Sequence, residues 1–173
     1  DMPRKRFHLE GPAMVLVTAT VFEWTPVFTH RKYANEMLLQ LDETMKHFEV
    51  SVASYVLMPN HFHALLGFRD IRQLSRVIQA LKSLTSRRLK PLLSDNLLSV
   101  FTSSGQYTFW KPRFDDVIVL SEKQFRTKAN YVHNNPIRAG LVDRPEDYAY
   151  SSAQDWLLDR PGPVKIDKNW SWL

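Results

Sequence analysis

Cysteine is missing from this 173-residue chain, which rules out a disulfide scaffold, a cysteine-based zinc site and a thiol nucleophile. The lack of cysteine fits a reducing compartment. No apolar run is long enough to span a bilayer, so no membrane partner is expected. The opening DMPRKRF is basic, with no apolar segment directly behind it. No signal peptide is read there, and a cytoplasmic location is expected. Internal repeats and low-complexity tracts are absent as well. What remains is 44% hydrophobic and 24% charged, a composition suited to one globular domain with a core. The net charge of +5 favours an anionic partner such as nucleic acid or a membrane surface. Many soluble proteins are this basic, so charge alone decides little.

Residues 14–22, MVLVTATVF, are rich in β-branched side chains and predict a strand. Tyr33, Met37, Leu38, Leu41, Met45 and Phe48 form one helical stripe over 30–48. VSVASYVL (50–57) and HFHALLGF (61–68) predict two more strands, broken by Met58 and Pro59. Ile71, Leu74, Ile78, Leu81 and Leu84 predict a helix from about Ile71 to Lys90, with Pro91 just past its end. Ser94 to Gln106 reads as a long, polar, functional or mobile loop. DDVIVL (115–120) predicts a fourth strand. Ser121 offers an N-cap to a third helix ending near Asn134, before Pro136. This order predicts an α+β fold of the ferredoxin-like, split βαβ type: an antiparallel sheet, helices on one face, and an extra C-terminal helix. The other face is expected to lie open to a ligand. Residues 1–160 are expected to form the domain and 161–173 a tail, either packed by Trp170 and Trp172 or unpacked.

Three groups of residues could carry chemistry. His61 and His63 lie at i and i+2 in a strand, so they share a face and could clasp a divalent ion. Such a pair is also what surface or satisfied core histidines look like. Tyr131 and Asn135 are four apart on a helix and share a face, yet helical tyrosines usually pack and an Asn before Pro usually ends a helix. Spacing does not choose Tyr131 over Tyr33, Tyr55, Tyr107, Tyr148 or Tyr150. The third group is basic and aromatic: Arg4, Lys5 and Arg6; Arg87, Arg88 and Lys90; Trp110, Lys111 and Arg113 within FWKPRF; and Arg138. These could neutralise phosphates and stack unpaired bases, or be solvated charges and core rings. Pro112 stiffens the approach of Arg113.

Three segments, VLMPNHFHALL (56–66), FWKPRF (109–114) and YVHNNPIRAGLV (131–142), together resemble the signature blocks of the REP-associated tyrosine transposases. These are relatives of the single-tyrosine insertion-sequence transposases in the HUH endonuclease class. The resemblance runs from about residue 14 to about residue 156. It implies His61 and His63 as metal ligands, Tyr131 as nucleophile, and Asn135 as a further polar ligand where relatives often carry the longer Gln. The implied metal is Mg2+ or Mn2+. The implied substrate is single-stranded DNA with a hairpin and a short adjacent guide sequence. The implied reaction is cleavage and rejoining through a 5′-phosphotyrosine. Pro136 and Gly140, with the IRAGLV segment, favour a monomer that completes its own site over a homodimer that shares it. A non-catalytic nucleic-acid-binding domain of the same fold, or a nuclease in which water attacks, are the competing readings.

Overall fold

The β-branched run at the start of the chain does form a strand, and the elements after it follow in the expected order. A computed structural model describes residues 9–172. The elements are β1 (Ala13–Thr20), α1 (Arg31–His47), β2 (Ser51–Met58), β3 (His61–Phe68), α2 (Leu74–Leu89), α3 (Asp95–Val100), β4 (Thr102–Ser103), β5 (Gln106–Tyr107), β6 (Asp115–Val119), α4 (Glu122–Arg138) and α5 (Ala153–Leu158). The main sheet has the order β2-β3-β1-β6, and every pairing in it is antiparallel.

Alternation along each strand gives the sheet two different faces. Val15, Val17 and Ala19 of β1 and Phe62, Ala64, Leu66 and Phe68 of β3 join one large buried cluster. Helices α1 and α2 close that face. Tyr33, Met37, Leu38, Leu41 and Met45 of α1 and Leu74, Val77, Ile78 and Leu81 of α2 are buried in the same cluster, which are the stripes that helical spacing predicts.

The second face is not left open, as the sequence suggested, but is partly covered. Met14, Leu16, Val56, Met58, Leu65 and Val119 form a smaller cluster with Val132 of α4. Helix α4 lies along β2 and β3. Its apolar residues Phe125, Ala129 and Val132 recur at three- and four-residue spacing, so an α4 laid across the apolar half of this face removes more area from water than an open sheet would. The tail completes the cover. Trp170 lies so close to Gly67 that a Cβ there would come within 2.5 Å of its ring. Val164 is buried in the first cluster, and Asp167 N donates to Val52 O at 2.8 Å.

Two further expectations are corrected. Helix α4 does not stop near Asn134 but continues through Pro136 to Arg138. Proline removes the hydrogen bond its own N–H would make and crowds the carbonyl one turn back. The last turn closes regardless, with Gly140 at φ +73 donating to Ile137 O and Leu141 N donating to Pro136 O, the paired bonds of a Schellman end. The segment 94–106 is not a long loop either. The Ser94 hydroxyl caps α3 by accepting from Leu97 N, and β4 and β5 pair as a small hairpin. Its turn residues Ser104 and Gly105 both have positive φ, as a two-residue hairpin turn requires.

Candidate active site

Antiparallel register sets the histidine pair. His61 is opposite Thr20 and His63 opposite Thr18 on β1, and both imidazoles leave the sheet on the face that carries α4. Their ring centroids are 4.8 Å apart. Each ring is held from behind through Nδ1. His61 Nδ1 donates to Asn60 Oδ1 at 2.6 Å, and His63 Nδ1 meets the Thr18 hydroxyl at 2.6 Å. For His61 the amide oxygen fixes the proton on Nδ1 and leaves the Nε2 lone pair for another partner, and His63 does the same when the Thr18 hydroxyl accepts, the arrangement that orients imidazole ligands around metals.

Burial lowers the pKa of His61. Burial lowers that of His63 further, to about 4, assisted by His61 and by the positive charge of Arg138. Both rings are therefore neutral at physiological pH, the protonation state a metal ligand needs.

Helix α4 brings the phenol to this pair. The Tyr131 ring lies 5.7 Å from that of His63, centroid to centroid. Of the six tyrosines, Tyr131 alone is exposed, at 45%. Exposure sets Tyr131 apart from the other five, which spacing did not do. Tyr33 OH donates to Leu92 O, Tyr107 OH to Ser86 O and Tyr148 OH to Leu57 O. Burial pushes the Tyr55 phenol up and the Tyr148 phenol up to about 12. Tyr150 packs against the first cluster. Arg138 curls back two turns, with its guanidinium 4.3 Å from the Tyr131 ring centre and donating to Tyr131 O at 2.6 Å. Asn135 is half-buried, one turn after Tyr131.

A buried polar clasp fixes α4 in this position. His133 Nε2 lies 3.1 Å from Ser54 Oγ and 2.7 Å from Ser152 Oγ, and Tyr55 N donates to Ser152 Oγ at 2.9 Å. A bulge between Val52 and Ser54 breaks the alternation of β2, so that Ser54 turns toward α4 while Val52 and Tyr55 stay in the first cluster.

The remaining sequence candidates divide. Lys111 and Arg113 line a groove of about 360 Å3 together with Thr18 and Thr20, beside the histidine pair. Arg87 and Arg88 are exposed at the end of α2, which packs on the opposite face, so they are not brought to this site. Trp110 is corrected. It is buried at 5% exposure, its Nε1 donates to Thr85 Oγ1 at 2.9 Å, and its ring packs on Phe62 and Phe109; no face is offered to a base. Its sequence neighbours are basic, but the bridge from Val21 to Trp110 points it inward. Arg4, Lys5 and Arg6 lie outside the described residues. Sequence reasoning missed Thr18, Asn60, Ser54 and His133. Only Asn60, next to His61, carried a local hint, because the others act across 19 to 79 positions of chain.

Two adjacent neutral imidazoles suit a divalent transition ion. Among the described residues no group of three or more His, Cys, Asp or Glu is gathered as a metal site. Any third donor from these residues is then of another kind, and the Asn135 amide is the one the sequence puts forward.

Comparison with known proteins gives concordant findings. The model of the family described as "Transposase IS200 like" matches residues 17–135. A protein of Haemophilus influenzae named as a REP-associated tyrosine transposase is 24% identical over 123 residues, covering 69% of this chain and 68% of that one. The solved structure of a REP-associated tyrosine transposase bound to a REP hairpin superposes with a TM-score of 0.68 at 15% identity, covering 99% of this chain and 96% of that chain. A crystal structure described as a transposase from Deinococcus radiodurans gives a TM-score of 0.52 at 18% identity, covering 77% and 97%. At these identities the two structures show a shared fold.

Proposed function

Because the chain belongs to the IS200-like transposase family, we propose that it cuts and rejoins single-stranded DNA bearing a hairpin, with Tyr131 as the nucleophile. The observation that carries this reading is the meeting of Tyr131 with His63, ring centres 5.7 Å apart, from two elements far apart in sequence. The similarity to a transposase whose structure holds a REP hairpin supports a DNA hairpin as the substrate class, and in this reading a short guide sequence lies beside it. The strand order and the packing of α1 and α2 on one face fit the ferredoxin-like, split βαβ arrangement.

In this reading His61 and His63 hold a divalent ion, Mn2+ or Mg2+, with Asn135 as a further donor. When bound, such an ion draws charge from a phosphate oxygen and orients the phosphodiester. The neutral Nε2 atoms, kept so by burial, leave the ion's charge for the anionic substrate. Tyr131 Oη attacks phosphorus in line. The P–O bond to the 3′-oxygen breaks, that oxygen takes up a proton to become a hydroxyl, and the phenolic proton leaves to solvent. The product is a 5′-phosphotyrosine, whose bond energy allows rejoining without a nucleotide cofactor. Arg138 sets a permanent positive charge beside the phenol and the incoming phosphate. Thr18 and Asn60 keep the two rings in the required tautomer and orientation. The clasp of His133 by Ser54 and Ser152 holds Tyr131 against the pair within one chain, which favours a monomer acting in cis.

The metal assignment is tested with His61→Ala and His63→Ala. Both variants are expected to lose Mn2+ binding in calorimetric titration and to lose cleavage of a labelled hairpin, while keeping most of their affinity for it, since phosphate contacts dominate binding. Chelation of the parent protein with EDTA should have the same effect. Normal metal binding and cleavage in either variant would refute the assignment.

A further inference from the structure

Among the described residues, one tryptophan is exposed, stands outside both clusters and has no role in the site described above. Trp24 is 61% exposed. It follows β1 on a turn in which two consecutive non-glycine residues, Glu23 and Trp24, have φ of +56 and +51. Bulky L-residues rarely adopt that conformation, and where they do the surroundings must hold them there. Here the turn is tied at both ends. Trp24 N donates to Val21 O at 3.0 Å, Thr25 N donates to Phe22 O, and Phe22 N donates to Phe109 O at 2.8 Å. Lys111 N donates to Thr20 O at 2.9 Å, and the Lys111 ammonium rests 3.0 Å from the centre of the indole. One face of the ring is thus covered by a cation, while the indole as a whole stays exposed.

The surroundings identify what that ring can take. Lys111 and Arg113 line the groove shared with Thr18 and Thr20. Thr18 is the residue that meets His63 Nδ1. A DNA strand whose phosphate is held at the histidine pair therefore has beside it a groove lined by Lys111 and Arg113, with Asp115 also on its wall, and Lys111 connects that groove to the indole on which its ammonium rests. We propose that Trp24 is a stacking platform for an unpaired base of the substrate strand next to the scissile phosphate, with Lys111 and Arg113 facing the phosphates of that strand. This rests on the reading of the chain as a single-strand DNA enzyme. It replaces the buried Trp110 with Trp24 as the aromatic partner of the FWKPRF cations. An aromatic face accepts any base, so the platform sets where the strand runs, and the cations supply affinity that salt weakens.

The test measures binding of two fluorescent probes to Tyr131→Phe protein without added metal: an eight-nucleotide oligo(dT) and an abasic oligomer with the same number of phosphates. Trp24→Ala should weaken oligo(dT) binding by about 5- to 100-fold and leave the abasic oligomer unaffected, while Trp24→Phe retains most of the affinity. Lys111→Gln should weaken both probes and lower the salt dependence by about one phosphate contact. Trp24→Ala binding oligo(dT) as the parent does, or weakening both probes equally, would overturn the platform. Because the assay needs no cleavage, its outcome is separate from the proposed chemistry. A platform without a tyrosine adduct sinks the enzyme reading, and an adduct without a platform sinks this one.

Discussion

Phe62 and His63 are neighbours in β3, yet they live in different solvents. Phe62 is sealed among Trp110 and the apolar residues of α1 and α2. His63 faces a hydroxyl, a second imidazole and a phenol. The first face of the sheet is apolar except at Asp116, which is buried opposite Val17, and its helices arrive with matching stripes. The second carries a smaller apolar cluster of Met14, Leu16, Val56, Met58, Leu65 and Val119, which α4 and the tail tryptophans cover, with His61 and His63 beside Thr18 and Thr20 at its edge. Dispersion and hydrophobic burial are enough to close the first face. The second needs specific hydrogen bonds to place α4, because its apolar patch is small. The clasp of His133 with Ser54 and Ser152 is that device. The contrast teaches that stability and chemistry are carried by opposite sides of the same strands, separated by a single residue step.

This division can be broken deliberately. The largest effect concerns where the site is completed. His61→Ala and Tyr131→Phe proteins, each inactive alone, should stay inactive when mixed, because each chain supplies its own α4. Recovered cleavage in the mixture would show that α4 crosses to a partner and that the clasp does not fix it in cis.

A smaller effect separates the faces energetically. Phe62→Ala should cost about 3–5 kcal/mol, the usual price of emptying an aromatic core site, read as a fall in the urea midpoint. Tyr131→Phe, on the other face, should change the stability obtained from that midpoint by less than about 0.5 kcal/mol. Equal destabilisation by the two would mean that the faces are not independent.

The smallest effect sharpens the comparison through pH. The three histidines whose pKa burial lowers, His61, His63 and His133, all lie on or against the second face. The unfolded chain takes up their protons near the ordinary value of 6.5, whereas folded His63 and His133 do so only near 4. Stability from this source is therefore complete above pH 6.5 and lost as pH falls toward 4. His63 and His133 each make stability rise with pH inside that window, and His61 acts in the same direction. Urea midpoints measured from pH 7 to pH 4.5 should fall accordingly, and less steeply in His133→Gln. A midpoint that stays level over this range would contradict the buried, neutral state of these rings.

Much of this was legible in the sequence because it is written in local periodicity. The β-branched run of β1, the stripe of α1 and the alternation of HFHALLGF depend on spacing alone, and the i, i+2 histidines share a face for the same reason. The continuation of α4 past Pro136 was not legible, because the Schellman closure at Gly140 offsets the lost hydrogen bond only once the chain has turned. The cover of the second face was hidden for a different reason. It depends on Trp170 reaching Gly67 and on a bulge in β2, which are contacts between distant positions. Trp110 and Trp24 were indistinguishable as residue types. The bridge from Val21 to Trp110 buries one, and the left-handed turn at Glu23 and Trp24 raises the other. Tyr131 was picked out by resemblance, and its exposure, which the other five tyrosines lack, was not legible in spacing.

The central claim is that Tyr131 on the second face becomes covalently joined to DNA. The direct measurement is a denaturing gel of the protein incubated with Mn2+ and a labelled hairpin with single-stranded flanks, followed by mass spectrometry of the slow band. The account predicts a protein–DNA adduct that maps to the Tyr131 peptide and vanishes in Tyr131→Phe. Cleavage without any adduct, or an adduct on another tyrosine, would contradict it.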